Sequence, residues 1–265
     1  MAKNKKKKTD KSTRLLLETS IQISKFVPDK DGSILRLLPQ NSVLYSSHFV
    51  LYEFKTGFIR NMVEFYYRVK LLDSPSLALA WWSKKYGKRE LKNIHILQAI
   101  MASVNKSIPT QDTAKYLRQI EAVIFNLVNN FDTDLLSMVG DFAGDEIVRF
   151  KLRSKDDYEP FVDAYNSRKS IPLDVFWKAH IEELKKLLSN KDVFDKSKVI
   201  NKIYAKLVEI EKDVKNANKY PINKAIGDVV IATDCPKHLT VTTLDSSFSE
   251  LTPMLGKPSI NLLRK

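Results

Sequence analysis

The sequence contains one cysteine, Cys235, among its 265 residues. A single cysteine cannot form an internal disulfide, and it cannot supply a cysteine-rich zinc site. Long apolar runs are also missing, because none approaches the roughly 20 residues that a membrane-spanning helix needs. The early run "LLLETSIQI" is interrupted by Glu18 and therefore does not resemble a secretory signal. These absences predict a cytoplasmic protein that has no membrane partner.

The chain as a whole is basic and carries a formal net charge of +13. Residues 1–11, "MAKNKKKKTDK", hold six lysines and one aspartate, and we expect them to form a disordered lysine-rich tail. The remainder still carries a net charge of +8. A basic body of this kind indicates a polyanionic partner such as RNA or DNA.

The pattern of apolar residues predicts an α/β fold whose parallel sheet is flanked by helices and interrupted by a large all-helical insertion. Residues 12–74 form the first half, with strands at "TRLLLETSIQIS" and "NSVLYSS" and then a long helix. Residues 75–215 are expected to be helical, with a solvated turn at residues 132–146. Residues 216–265 form the second half, with a helix from Asp228, a strand at residues 239–243 and a short strand in "PSINLL".

Four acidic residues stand where strands end or where the following helices begin. They are Glu18, Glu53, Asp228 and Asp245. In an open parallel sheet, groups at these positions converge outside the carboxyl ends of the strands. Converging carboxylates repel one another unless a cation neutralises them, and Mg²⁺ and Mn²⁺ prefer oxygen ligands. We therefore expect these four residues to be metal ligands and catalytic groups.

The same segments resemble the sequence motifs of PIN-domain nucleases. "LLLETSIQI" looks like the first motif, in which an acid follows an apolar strand, and it includes Ser20 as a supporting residue. "SSHFVLYEFKTG" is similar to the second motif and supplies Glu53. "GDVVIATDC" resembles the third, and "LTVTTLDSSF" resembles the fourth, with Thr243 supporting Asp245. The resemblance covers about 110 residues at the two ends of the chain and does not extend to the helical middle.

The resemblance implies a PIN-like fold and a metal-dependent endonuclease that uses Mg²⁺ or Mn²⁺, with RNA more expected than DNA as substrate. Two departures from the family pattern matter. The first acid is Glu18, where the family usually has aspartate, and the extra methylene displaces the carboxylate by about one C–C bond, on the ~1 Å scale that affects catalysis. The inserted segment is longer than a minimal family member, which suggests a substrate clamp, an oligomer interface or a docking platform for a protein partner.

Two other functions stay open at the level of sequence. Glu18 favours a catalytically degenerate PIN-like module that binds nucleic acid or a partner without cutting. A DNA-cutting defence effector is the other alternative, because hydrolysis of RNA and of DNA needs the same metal ligands. The segment "WSKKYGKRELK" is a candidate nucleic-acid contact, or else a solvated helix face, through four basic residues: Lys84, Lys85, Lys88 and Arg89.

Overall fold

A five-stranded parallel sheet organises the chain. The computed structural model describes residues 12–27, 34–86, 88–104, 112–142, 146–167, 173–219, 222 and 225–263. The strands are β1 Arg14–Leu17, β2 Val43–Ser47, β3 Leu135–Val139, β4 Thr240–Thr243 and β5 Ser259–Asn261. Their order across the sheet is β3-β2-β1-β4-β5, and every neighbouring pair is parallel. The lysine-rich tail lies outside the described residues.

The two ends of the chain meet at the centre of this sheet. β1 pairs with β2 on one side and with β4 on the other, so that Leu16 is opposite Tyr45 and Val241. This pairing confirms the expected α/β sheet built from both halves. The connections proceed outward from β1 to β2 and β3, and then return to β4 on the opposite side of β1. The order of the strands therefore reverses between β1 and β4, where open parallel sheets form ligand crevices.

Helices surround the sheet and fill most of the middle of the chain. In chain order the described helices are α1 Thr19–Ser24, α2 His48–Glu53, α3 Arg60–Leu72, α4 Pro75–Lys85, α5 Lys88–Val104, α6 Thr113–Asn129, α7 Glu146–Arg149, α8 Tyr158–Ser167, α9 Leu173–Ala179, α10 Ile181–Leu188, α11 Lys191–Lys196, α12 Asn201–Lys212, α13 Gly227–Asp234 and α14 Phe248–Met254. Short 3₁₀ turns lie at Ile34–Leu37, Lys155–Asp157 and Val214–Asn218.

A π-helical turn at Phe54–Ile59 joins α2 to α3 and makes one long helix of the segment after β2. Ser47 begins this helix, because its Oγ accepts a hydrogen bond from the backbone N–H of Val50 at 3.2 Å. A π turn carries one extra residue per turn, so it rotates the side chains on either side of it relative to each other. The turn begins directly after Glu53, and single π turns are frequent at functional sites.

Two expectations about secondary structure are wrong. The run "TRLLLETSIQIS" is not one strand, because β1 ends at Leu17 and Glu18 caps the helix α1 with its side chain. The segment 75–215 is not entirely helical, because residues 135–139 form β3, the edge strand next to β2, where a solvated turn was expected. The structure thus assigns part of the middle segment to the sheet itself.

The hydrophobic core lies on the sheet and continues into the helical region. Leu15, Leu16 and Leu17 of the central strand are completely buried. Among the helices, α3 contacts α4, α5 and α6, and the ring of Phe65 packs edge-on against Trp82 with a centroid distance of 5.7 Å. This continuous packing fixes the helices relative to the sheet. No helix in the described part of the chain is both long and apolar enough to cross a membrane.

Candidate functional site

Glu18 lies at the carboxyl end of β1, directly beside the point where the strand order reverses. Its side chain is only 5% exposed. The carboxylate accepts hydrogen bonds from the backbone N–H of Ser20 at 2.7 Å, from the Ser20 hydroxyl, and from the backbone N–H of Leu244 at 3.3 Å. Because Leu244 follows β4, Glu18 connects the ends of β1 and β4. The predicted supporting residue Ser20 therefore holds this carboxylate.

Burial raises the pKa of Glu18 to about 6. Hydrogen bonds from Ser20 and Leu244 oppose this increase because they favour the charged carboxylate, whereas the negative charge of Asp228 adds to it. The influence of Asp228 indicates that these two carboxyl groups lie in the same electrostatic environment. Glu18 is thus a buried acid that binds a proton more readily than an exposed glutamate does.

Glu53 reaches the same region from α2. Its Oε2 accepts a hydrogen bond of 2.6 Å from the hydroxyl of Thr19, the residue next to Glu18. Its Oε1 lies against Gly227, the residue next to Asp228, so closely that a Cβ atom at position 227 would press into it. Glu53 is therefore held between the residues that adjoin two of the other predicted acids.

Asp228 and Asp245 are connected through Ser247. The Ser247 hydroxyl donates a hydrogen bond of 2.6 Å to Oδ2 of Asp228, and the Ser247 backbone N–H donates one of 2.9 Å to Oδ1 of Asp245. Asp228 is half-buried in the first turn of α13, whereas Asp245 is exposed just beyond β4. The backbone N–H of Asp245 also donates to the hydroxyl of the predicted supporting residue Thr243 at 2.8 Å.

The four acids thus belong to one hydrogen-bonded region at the carboxyl edge of the sheet. They are nevertheless not arranged as a ready metal centre. Within the part of the chain that the structure describes, no group of three or more His, Cys, Asp and Glu side chains is placed to hold a metal ion. As the chain stands, hydroxyl groups and backbone N–H groups surround these carboxylates.

The sequence motifs do not predict the structural roles of three residues in this region. Thr19 and Ser247 donate to Glu53 and Asp228, and Gly227 leaves room for Glu53. Thr19 is part of the first motif, directly after Glu18, whereas Ser247 could be noticed only as a hydroxyl residue close to a motif acid. The pairing of Thr19 with Glu53 spans 34 residues. No local pattern indicates a contact of this length.

Asp234, the last residue of α13, lies apart from the four acids and ties α13 to the loop after β3. Its Oδ1 accepts a hydrogen bond of 2.6 Å from the backbone N–H of Asp141. The side chain is 4% exposed, and burial raises its pKa to about 6. Gly140, with a φ of +94°, adopts a backbone conformation that favours glycine, and a Cβ atom there would also collide with Asp234. Asp234 is therefore a structural acid that fixes the end of β3.

The predicted basic contact is described only in part. Lys84 and Lys85 are exposed, whereas the side chains of Lys88 and Arg89 lie outside the described residues. The ammonium group of Lys85 is 4.6 Å from the ring centroid of Trp81, and the guanidinium of Arg68 is 3.5 Å from it. A nucleic-acid base could therefore stack on the Trp81 ring only if it displaced one of these two cations.

Comparisons of the chain with protein-family models, with curated proteins and with solved structures found no match. We therefore infer a function from the geometry and chemistry of the residues themselves.

Proposed function

We propose that this chain is a divalent-metal-dependent endoribonuclease of PIN-like type. The observation that carries the proposal is that four acids from distant parts of the chain lie in one region of the fold. Glu18, Glu53, Asp228 and Asp245 come from four separate elements, and 227 residues separate the first from the last. Hydrogen bonds nonetheless connect their surroundings at the strand-order reversal, the position at which open parallel sheets bind ligands.

The chemistry of the donor set fits Mg²⁺ or Mn²⁺. All four candidate ligands are carboxylates, and hard divalent cations prefer oxygen ligands of this type. Burial is the main cause of the raised pKa of Glu18, and the negative charge of Asp228 adds to it. A bound cation would stabilise the charged form of Glu18 against both effects. When bound, such a metal activates water and stabilises the charge that develops on a phosphodiester.

The chain's own residues orient the candidate ligands. The hydroxyl of Thr19 fixes one oxygen of Glu53, and the hydroxyl of Ser247 fixes one oxygen of Asp228. Ser20 and the Leu244 N–H hold the longer side chain of Glu18 at the end of β1. Groups that fix the rotamers of ligands in this way reduce the reorganisation that binding requires.

A second candidate is a PIN-like module that binds nucleic acid or a protein partner without cutting. The finding that favours it is the absence, among the described residues, of three acidic or histidine side chains placed for one metal ion. The carboxylate of Glu18 also accepts hydrogen bonds from Ser20 and from the Leu244 N–H, which satisfy its oxygens without a metal.

Incubation of the purified protein with end-labelled single-stranded RNA and DNA, in Mg²⁺, Mn²⁺ or EDTA, tests the first proposal against the second. We expect metal-dependent cleavage of RNA, and we expect Asp228→Asn to abolish it while Asp195→Asn, at an exposed acid on α11, leaves it unchanged. Cleavage of DNA alone would redirect the proposal to a DNA-cutting enzyme. Binding without cleavage in any metal would favour the non-catalytic module.

A further inference from the structure

A groove of about 500 Å³ lies on the side of α2 that faces away from the carboxylates. It is bounded by α2, the end of α6, β3 and the segment 148–153. The half-buried side chains of Leu51, Met138 and Phe150 contribute apolar surface to it. Leu51 and Lys55 line this groove, whereas Glu53 between them reaches towards Gly227. The groove and the carboxylate region are therefore separate surfaces that share one helical segment.

The segment "RFKLRSK", residues 149–155, gives this groove a positively charged rim. Its basic residues are all exposed, and they alternate with residues that are buried or half-buried. The exposed set is Arg149, Lys151, Arg153 and Lys155, and Leu152 between them is only 1% exposed. Arg149 ends α7 and Lys155 begins a 3₁₀ turn, and residues 150–154 between them have no helical structure. In extended backbone alternate residues lie about 6.6 Å apart on one face, which is the spacing we expect for Lys151 and Arg153. That spacing is comparable to the step between successive phosphates of an extended single strand.

The rim is held in place at both ends by buried or charged groups. The ammonium group of Lys55, which is 5% exposed, donates hydrogen bonds to the carbonyl oxygens of Val148 at 2.7 Å and Phe150 at 2.8 Å. At the other end, the carboxylate of Asp157 accepts from the backbone N–H of Arg153 at 2.6 Å and of Ser154 at 2.9 Å. A rim fixed in advance loses little conformational entropy when it binds a ligand.

We propose that this basic groove binds the backbone of single-stranded nucleic acid, with Lys151 and Arg153 contacting phosphates and the apolar floor contacting bases. Cationic grooves that combine a phosphate-contacting rim with surfaces for exposed bases are the usual means of binding single strands. A duplex offers its phosphates but keeps its base faces stacked, so it would use only the rim. Asp132, the acid in the groove lining, repels phosphates and favours a path along residues 149–155.

This inference rests on the proposed function because it takes nucleic acid as the partner, but its test does not depend on cleavage. The full-length protein is titrated into a fluorescein-labelled single-stranded RNA in EDTA, and the dissociation constant is measured by anisotropy across a series of monovalent salt concentrations. The test variant is K151Q/R153Q, which removes two exposed charges. The matched control is K196Q/K198Q, which removes two exposed charges near α11. Melting temperatures verify that both variants fold.

Each lost phosphate contact removes about 0.7 from the slope of log affinity against log salt. We therefore expect K151Q/R153Q to lower the magnitude of the slope by about 1.4 and to weaken binding about 25-fold at 0.1 M salt, if the affinities converge near 1 M. The control is expected to retain the slope of wild type. Duplex RNA is expected to lose less affinity than the single strand.

Equal behaviour of the two double variants would overturn the assignment of the groove. The assignment would also be overturned if K151Q/R153Q lost affinity for a labelled polyglutamate peptide but kept its affinity for RNA. That result would assign the groove to a protein partner. An equal loss for duplex and single strand would refute contact with bases. None of these results depends on whether Asp228→Asn abolishes cleavage, so the groove and the catalytic proposal can fail separately.

Discussion

The substitution Gly227→Ala separates the effect of ligand geometry from the effect of folding stability. An added Cβ at position 227 would collide with Oε1 of Glu53, while the next atoms, Cδ of Glu53 and Cε1 of Phe49, would lie at ordinary distances of 3.5 and 3.9 Å. The colliding atom is the end of a flexible side chain and can therefore move. Restoring van der Waals separation requires a displacement of about 1 Å, which takes the carboxylate away from its hydrogen bond with Thr19.

The expected effects on stability and on activity differ greatly in size. Alanine is favoured over glycine inside a helix by up to about 1 kcal/mol, and loss of the hydrogen bond between Thr19 and Glu53 costs a similar amount, so the melting temperature should change little. A displacement of about 1 Å at a catalytic group can cost on the order of 100-fold in rate. We therefore predict that Gly227→Ala decreases the metal-dependent rate of RNA cleavage about 100-fold, measured under single-turnover conditions with end-labelled RNA.

Gly57→Ala is the matched control for this experiment. Gly57 is also helical, and a Cβ atom added there meets nothing within 4 Å. Its cleavage rate should equal that of wild type, and its melting temperature should change as little as that of Gly227→Ala. Cleavage at the wild-type rate by both variants would show that the position of the Glu53 carboxylate does not affect catalysis. A loss of activity in Gly227→Ala only in proportion to a loss of folded protein would also contradict the prediction.

Two further predictions concern stability and binding. Burial raises the pKa of Asp234 from 3.8 to about 6, so the folded protein binds more protons than the unfolded chain between these pH values. The contribution of Asp234 to the free energy of unfolding should consequently fall by about 3 kcal/mol as pH rises through this window, in addition to that of Glu18, whose pKa is also raised to about 6. Asp234→Asn should remove the contribution of Asp234 in chemical denaturation, and an unchanged pH profile in that variant would contradict the buried, raised-pKa state of Asp234. Deletion of residues 1–11 should weaken RNA binding at low salt and leave the cleavage pattern unchanged, because phosphate contacts do not specify sequence. If the deletion variant and wild type bound RNA with equal affinity at every salt concentration, the tail would serve only to keep the protein soluble.

The elements around the four acids could be predicted from the sequence because their signals are local. β2 begins with the apolar residues Val43, Leu44 and Tyr45, and β4 consists of the β-branched residues valine and threonine. Ser47 is a typical helix-capping residue before an apolar face. Asp228 falls in the first turn of α13, as expected. The expectation that the two halves of the α/β unit meet in space is confirmed by the parallel pairing of β1 with β4.

Other features could not be predicted because several local signals were ambiguous. The residues "TSIQIS" contain β-branched side chains that suit a strand, yet the side chain of Glu18 satisfies the N–H of Ser20 and begins a helix. β3 is an edge strand in which Leu136 is 68% exposed, so it lacks the alternating burial that marks a strand in a sequence. The contacts of Thr19 and Ser247 depend on the tertiary fold, which no local spacing encodes.

Binding of Mn²⁺ to the folded protein tests the central claim most directly, because it requires neither a substrate nor a cleavage sequence. A metal that binds only the folded state at 100 times its dissociation constant stabilises it by about 2.7 kcal/mol, which corresponds to roughly 5–10 °C for a chain of this size. Thermal unfolding of wild type, Asp228→Asn and the control Asp195→Asn is compared with and without Mn²⁺. We predict that Mn²⁺ raises the melting temperature of wild type and of Asp195→Asn but not that of Asp228→Asn. No shift in wild type, or the same shift in all three proteins, would contradict a metal centre at these carboxylates.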